Sequence, residues 1–151
     1  MQMKFETEIR RSPKDLWPWL TEPERMKKWM KGLVSIVPND PGPTRAGSTS
    51  KMTVKEGGKL VTYDETILEW NPPRSLRLRL TSPQWKSLQM TMANQLEDLG
   101  PSTRLHYQFE CQTTNAFFKL LGFLFGFFAK LQAKSFMKSL KHLAESEPAT
   151  R

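Results

Sequence analysis

The sequence is poor in the residues from which reactive and metal centres are built. A single cysteine, Cys111, excludes an internal disulfide framework and a thiolate metal cluster. Two histidines, His106 and His142, leave too few soft ligands for a zinc site, so neither metal nor cofactor is expected. The phosphate-cradling pattern GxxxxGK[ST] is absent. No Ser-His-Asp or Cys-His set is visible along the chain. Apolar runs are short as well. The opening MQMKFETEIRR lacks the continuous apolar stretch of a signal peptide, and a cytoplasmic location is expected from that. The most apolar segment, Phe117 to Leu131, would be about 22 Å long as a helix, too short and too lysine-flanked to span a bilayer. There is no internal repeat and no low-complexity linker.

What remains fits one soluble domain. The chain has 151 residues, 38% hydrophobic and 25% charged, enough to bury a core and too regular in composition for disorder. Aromatics make up 11%, with nine Phe and five Trp. Lys plus Arg number 23 against 15 Asp plus Glu, a net charge of +8 that attracts polyanions: nucleic acid, anionic lipid or acidic metabolites. The basic residues are scattered (Lys27, Lys28 and Lys31, then Arg77 and Arg79, then the lysines near the C-terminus). No aromatic-interleaved basic patch appears, so nucleic acid is not an expected partner.

Periodicity gives the element order. Met3, Phe5, Thr7 and Ile9 alternate with Lys4, Glu6, Glu8 and Arg10, which predicts a half-buried strand. Ser12 followed by Pro13 signals a helix start. Pro18 and Pro23 should keep the helices short, with a second one carrying Met26, Trp29 and Met30. Gly32 ends this stretch, Leu33 to Val37 reads as a strand, and residues 38–43 read as a loop. Ser50, Met52 and Val54 alternate with lysines and Thr53, and Glu56-Gly57-Gly58 predicts a hairpin. Residues 59–70 form a longer strand of unsettled facing: Val61, Tyr63 and Ile67 share one parity, Leu60, Leu68 and Trp70 the other. Leu76, Leu78 and Leu80 mark the next strand. Further strands run through Leu88 to Leu96 and through Leu105 to Cys111. From Asn115, a plausible N-cap, the chain is helical to about Ala144, and the tail beyond should fray.

Strand, two short helices, about six to seven antiparallel strands and one long helix is an order that resembles the helix-grip fold of the START-related superfamily, also called SRPBCC. The first strand plus SPKDLWPWLTEPERMKKWM resembles that family's opening. YDETILEWNPPRSLRLRL resembles its central strand, acidic turn and Pro-Pro segment. The nearest branch is the polyketide cyclase/dehydrase-like group. The resemblance implies an α+β fold over residues 1–145, with 146–151 as a flexible tail. A curved antiparallel sheet would wrap the C-terminal helix and leave a cavity between them. Members of the superfamily bind lipids, sterols, hormones or polyketides there. Some catalyse cyclisation or dehydration, and others are co-chaperones or membrane-associated assembly factors. Fold alone does not choose among these.

The residues add detail. Met3, Phe5, Met52, Leu76, Leu78, Leu80, Leu88, Met90, Met92, Leu105, Tyr107 and Phe109 should face the helix, either filling a core or lining a cavity. Methionine is frequent on that face and adapts to varied partners. Asn94 sits on the same face, where an unpaired amide costs roughly 1–3 kcal/mol, so it needs a ligand, Tyr107 or backbone as partner. The expected ligand-binding set is Met52, Tyr63, Leu78, Trp85, Met90, Met92, Asn94, Tyr107, Phe109, Phe125 and Phe128. If the protein is an enzyme, Asn94, Tyr107 and Asp64 are the candidates to polarise an enol or carbonyl, with Glu65 beside the last as a further acid; His106 should face solvent.

The last helix is apolar all round in its first half and amphipathic in its second. Its lysines share an arc about 100° wide with Leu120, Phe123 and Phe127. That face is buried under loops, or meets an anionic membrane through Lys119, Phe123, Phe127, Lys130 and Lys134, or joins a second copy through Gly122 and Gly126. The expected function is binding of a hydrophobic small molecule, lipid-like or polycyclic. The alternatives are a polyketide cyclase/dehydratase-type enzyme and a membrane-peripheral or partner-binding module.

Overall fold

The computed structural model describes residues 1–148, apart from the side chains of Phe123 and Phe125. Their order is β1 (Gln2–Ile9), α1 (Pro13–Thr21), α2 (Pro23–Trp29), β2 (Leu33–Pro38), β3 (Thr49–Glu56), β4 (Lys59–Asn71), β5 (Ser75–Thr81), β6 (Leu88–Asp98), β7 (Thr103–Thr113) and α3 (Ala116–Ser146). The strands form one antiparallel sheet ordered β1-β7-β6-β5-β4-β3-β2. β2 to β7 are a meander, and β1 returns to pair with β7, so Met3 meets Phe109 and Phe5 meets Tyr107.

Local chemistry explains the connections. Ser12 caps α1, its Oγ accepting from the Asp15 amide at 3.2 Å, with Pro13 at the first helical position. Pro18 does not interrupt α1 as expected. The bond it forgoes is to the carbonyl of Lys14, an exposed residue, and the Pro18 carbonyl still accepts from Glu22. At Gly32, with φ of 95°, a Cβ would lie 2.8 Å from the Lys55 carbonyl oxygen, so the chain passes β3 only with glycine there. Gly57 and Gly58 have φ of 56° and 80°, the double left-handed turn that suits a two-residue hairpin.

The unsettled facing of β4 resolves through a bulge. Ile67 pairs with Leu78, Glu69 with Arg77 and Trp70 with Leu76, leaving Leu68 as the extra residue. Val61, Tyr63, Glu65 and Ile67 therefore point inward, and so does Trp70, which meets the edge of Trp17 at 5.2 Å; Leu60 and Leu68 are exposed.

α3 packs on β1, β7, α1 and α2. Ala133, Met137, Leu140 and Ala144 recur on one helical stripe and enter the core beside Ile9, Leu16, Trp19 and Leu105. The end of α3 does not fray as expected. Trp19 Nε1 donates to Glu147 at 2.7 Å and Arg25 Nη1 at 2.6 Å, while Arg11 donates to the carbonyls of Glu145 (2.6 Å) and Glu147. Trp19 on α1 and Arg25 on α2 hold the Glu147 carboxylate, and Arg11, in the turn after β1, satisfies carbonyls that a helix end leaves open. The remaining tail, 149–151, lies outside the described residues.

Candidate functional site

Because α3 rests on β1 and β7 and on the short helices, the concave face of β3 to β6 is left uncovered under its N-terminal half. The space is a cavity of about 890 Å³. Met52, Val54, Tyr63, Leu80, Leu88, Met90, Met92, Phe109 and Cys111 form its sheet wall. From α3 come Phe118, Lys119, Gly122, Ala129, Gln132 and Phe136, nearly all on one stripe of helical spacing. Five of the chain's eight methionines, Met1, Met30, Met52, Met90 and Met92, line it. Lys31, Lys55, Glu56 and Gly57 border it and are exposed, which marks the open edge.

Its polar groups are few. The Tyr63 hydroxyl donates to Glu56 Oε1 at 3.0 Å. Burial, and then the charge of Glu56, push the Tyr63 phenol well above its ordinary value. Burial likewise pushes the Cys111 thiol up. Inward-facing Glu65 occupies one row with Cys111, Met90, Leu80 and Ser50. It is only 6% exposed, and desolvation pushes its carboxyl up to about 7.

Of the expected ligand-binding residues, the structure sets Met52, Tyr63, Met90, Met92 and Phe109 around the cavity. Leu78 lies in the core between Ile67 and Met92 and does not line it. Trp85 stands outside, 45% exposed, its ring 5.5 Å from that of Phe118. Asn94 and Tyr107 do share the inner face, but one row beyond Met92 and Phe109, with Leu76 and Phe5. They border a smaller depression of about 540 Å³ rather than the main cavity. Asn94 Oδ1 is buried without a hydrogen-bond partner, and burial pushes Tyr107 up to about 12. Phe128 is 66% exposed rather than inward. α3 bends by 61° between Ala116–Gly122 and Gly126–Ser146; within the second segment Phe128 shares an arc with Phe127 and Leu131, away from the buried stripe of Ala133, Met137, Leu140 and Ala144. The Phe125 side chain lies outside the described set.

Asp64 points outward and pairs with Lys51, so the inward acid of that dipeptide is Glu65. His106 faces solvent as expected, 2.9 Å from Glu97. Among the face residues, Phe127, Lys130 and Lys134 are exposed, Lys119 is exposed at the cavity edge, and Phe123 is outside the described side chains. Among the described residues no single helix is long and apolar enough to cross a membrane, and no group of three metal-capable side chains occurs.

Glu56 and Gln132 are cavity residues absent from the expected set, yet both are legible in the sequence. Glu56 shares the parity of Met52 and Val54, and Gln132 is three residues from Ala129 and four from Phe136 on one helix face.

A curved antiparallel sheet with a long C-terminal helix across it and a cavity between the two is the helix-grip architecture of the SRPBCC superfamily, a fold for binding hydrophobic molecules. Residues 2–146 match the family described as polyketide cyclase / dehydrase and lipid transport, and the chain belongs to that family. No curated protein matches its sequence. Among solved structures, Ara h 8.0201 is similar with a TM-score of 0.77 at 14% identity, covering 97% of this chain and 99% of that one. A protein of Thermus thermophilus has a TM-score of 0.72 at 21% identity, covering 97% and 98%. Norcoclaurine synthase from Thalictrum flavum, solved with dopamine and hydroxybenzaldehyde, has a TM-score of 0.68 at 14% identity, covering 99% and 89%. At these identities the likeness is one of fold.

Proposed function

We propose that this chain binds a hydrophobic small molecule, lipid-like or polycyclic, in the cavity between the sheet and α3. The observation that carries the reading is a cavity of about 890 Å³ walled largely by methionine, leucine and phenylalanine. That volume is in the range of sites that enclose drug-sized ligands. Thioether walls conform to shapes that branched side chains would reject. Tyr63, Glu56, Gln112 and Gln132 supply polar contacts beside the apolar wall, and Lys31, Lys55 and Lys119 add positive charge at the lining, which suits a ligand with an apolar body and one polar end. The Tyr63 proton is engaged by Glu56, so its oxygen is left to accept from a ligand hydroxyl or amine.

The same geometry weighs against the cyclase/dehydratase alternative. Asp64 faces outward, and Asn94 and Tyr107 lie beyond the cavity. Tyr63 gives its hydrogen to Glu56 instead of to a substrate carbonyl, and the raised Cys111 keeps its proton and is a weak nucleophile.

Native mass spectrometry of the purified protein, followed by organic extraction and by titration with an environment-sensitive hydrophobic dye, tests the reading. The expected result is saturable dye binding that extracted ligand displaces. Met90→Trp, which fills the cavity, should weaken binding by at least about tenfold, because each ligand methylene that can no longer be buried is worth ~0.8 kcal/mol. A folded Met90→Trp protein that binds as tightly as the parent would reject this cavity as the site.

A further inference from the structure

The cavity accounts for only one side of α3. On the other, Phe117, Leu120, Leu124, Phe127, Phe128 and Leu131 are 51–81% exposed. At ~100° per residue Phe117 and Leu120 share one side of the segment before the bend, and Phe127, Phe128 and Leu131 share an arc about 100° wide on the segment after it, with Leu124 between them. A solvated helix face normally carries polar residues there, and a contiguous apolar face of this kind marks an interaction surface. The charge beside it has one sign. Between Cys111 and Glu145 the sequence holds no Asp or Glu and five lysines, Lys119, Lys130, Lys134, Lys138 and Lys141. Lys119, Lys130 and Lys134 are exposed and form a strip along one border of the apolar arc.

We propose that the N-terminal half of α3 docks on an anionic lipid bilayer. Leu120, Leu124, Phe127 and Leu131 enter the boundary between headgroups and acyl chains, and Lys130 and Lys134 lie against lipid phosphates. Charge complementarity selects this occupant. An anionic bilayer is apolar beneath and negative at its surface, matching the arc and the strip together. A second copy seated antiparallel by a two-fold axis would oppose lysine strip to lysine strip. The cavity-facing residues of the same helix, Phe118, Gly122 and Ala129, lie on another side of it, so docking leaves the cavity unoccupied. The inference rests on the exposed face and holds whether or not the cavity takes a ligand.

Co-sedimentation with vesicles tests it, using phosphatidylcholine alone and phosphatidylcholine containing one-third phosphatidylglycerol. The full chain should bind the anionic vesicles, bind the neutral ones far less, and release as salt rises. Lys130→Glu with Lys134→Glu should lower the partition coefficient at least about tenfold, from the loss of headgroup attraction at two positions. Leu124→Ser with Phe127→Ser should lower it with far-ultraviolet circular dichroism unchanged. In a separate variant, Leu124→Trp emission should shift to the blue on anionic vesicles and be quenched by brominated acyl chains. Absence of binding to anionic vesicles, or equal binding to neutral ones, would overturn the proposal. A dimer in sedimentation velocity that Leu124→Ser dissociates would also overturn it, by assigning the face to a second copy.

Discussion

The C-terminal half of α3 buries Ala133, Met137, Leu140 and Ala144 against β1, β7 and the two short helices, and its last turn is held by Arg11, Trp19 and Arg25. The N-terminal half has a cavity on one side and, on the other, six large apolar side chains in the open. The N-terminal half holds six of the helix's seven Phe and two of its five Lys, yet it is the less apolar C-terminal half that is packed, so composition does not decide burial. What separates them is what lies beneath. Where the sheet edge and the short helices meet the helix, its apolar stripe becomes core. Where they do not, the same kinds of residue become a cavity wall and an unpartnered face. Stability is thus concentrated at one end of the helix and the binding surfaces at the other, the usual division between well-packed and low-stability segments.

Substitutions in the two halves put this contrast to the test. The largest effect should come from Leu140→Ala, fully buried in the packed half, which should cost about 3 kcal/mol by denaturant unfolding. Leu124→Ala in the exposed half should cost under about 0.5 kcal/mol, and equal losses would erase the distinction.

Next is Glu65, in the sheet row that lines the cavity. Its carboxyl titrates near 7 in the fold against 4.5 for an unperturbed glutamate, so the folded state binds the proton more tightly. Its stabilising contribution is complete below pH 4.5 and is lost as pH rises through 7. The parent should therefore lose on the order of 2 kcal/mol from this group across that window, and Glu65→Gln should flatten the profile. A parent whose stability rises over the same window would contradict the assignment.

Glu147→Gln should cost about 1 kcal/mol, since the pairing with Arg25 is partly exposed. Arg25 holds the Glu147 carboxyl below its ordinary range, so this contribution is present at neutral pH and fades as acid protonates the group. Hydrogen exchange should quicken in the last turns of α3. The smallest effect should be that of Asp64→Asn, next in sequence to Glu65 but outward and paired with Lys51. It should change stability by under about 0.5 kcal/mol.

Much of the fold is legible in the sequence because its signals are local. Clean alternation in β1, β5, β6 and β7, the Ser12-Pro13 start and the Gly57-Gly58 turn each follow from chemistry within a few residues. Met52, Met90, Met92 and Phe109 are placed inward by the alternation of their strands, Tyr63 only once the bulge at Leu68 settles β4, and the cavity they border follows from where α3 rests. The differences arise where longer-range information is needed. The end of α3 reads as a fraying tail because its partners, Arg11, Trp19 and Arg25, are over a hundred residues earlier in the chain. Phe128 lies across from the lysine arc, but the side of α3 that meets the core is set by Ala133, Met137, Leu140 and Ala144, which run beside that arc rather than opposite it. Parity puts Asn94 on the correct face, but it does not say how far along a strand the cavity reaches.

The bulge at Leu68 changes how β4 should be counted. Up to Ile67 inward positions are odd, and at Trp70 they are even, so the strand is written in two reading frames joined at one surplus residue. β3 stops pairing at Thr66, just before the join, which leaves the second frame bonded on one side only and free to turn toward Trp17 on α1. One strand thereby serves two neighbours, the cavity first and the short helices after it. In a chain without Leu68 every inward side chain would keep its face, while the strand would lose the extra turn that aims Trp70. An added residue anywhere else in β4 would instead exchange the faces of everything beyond it.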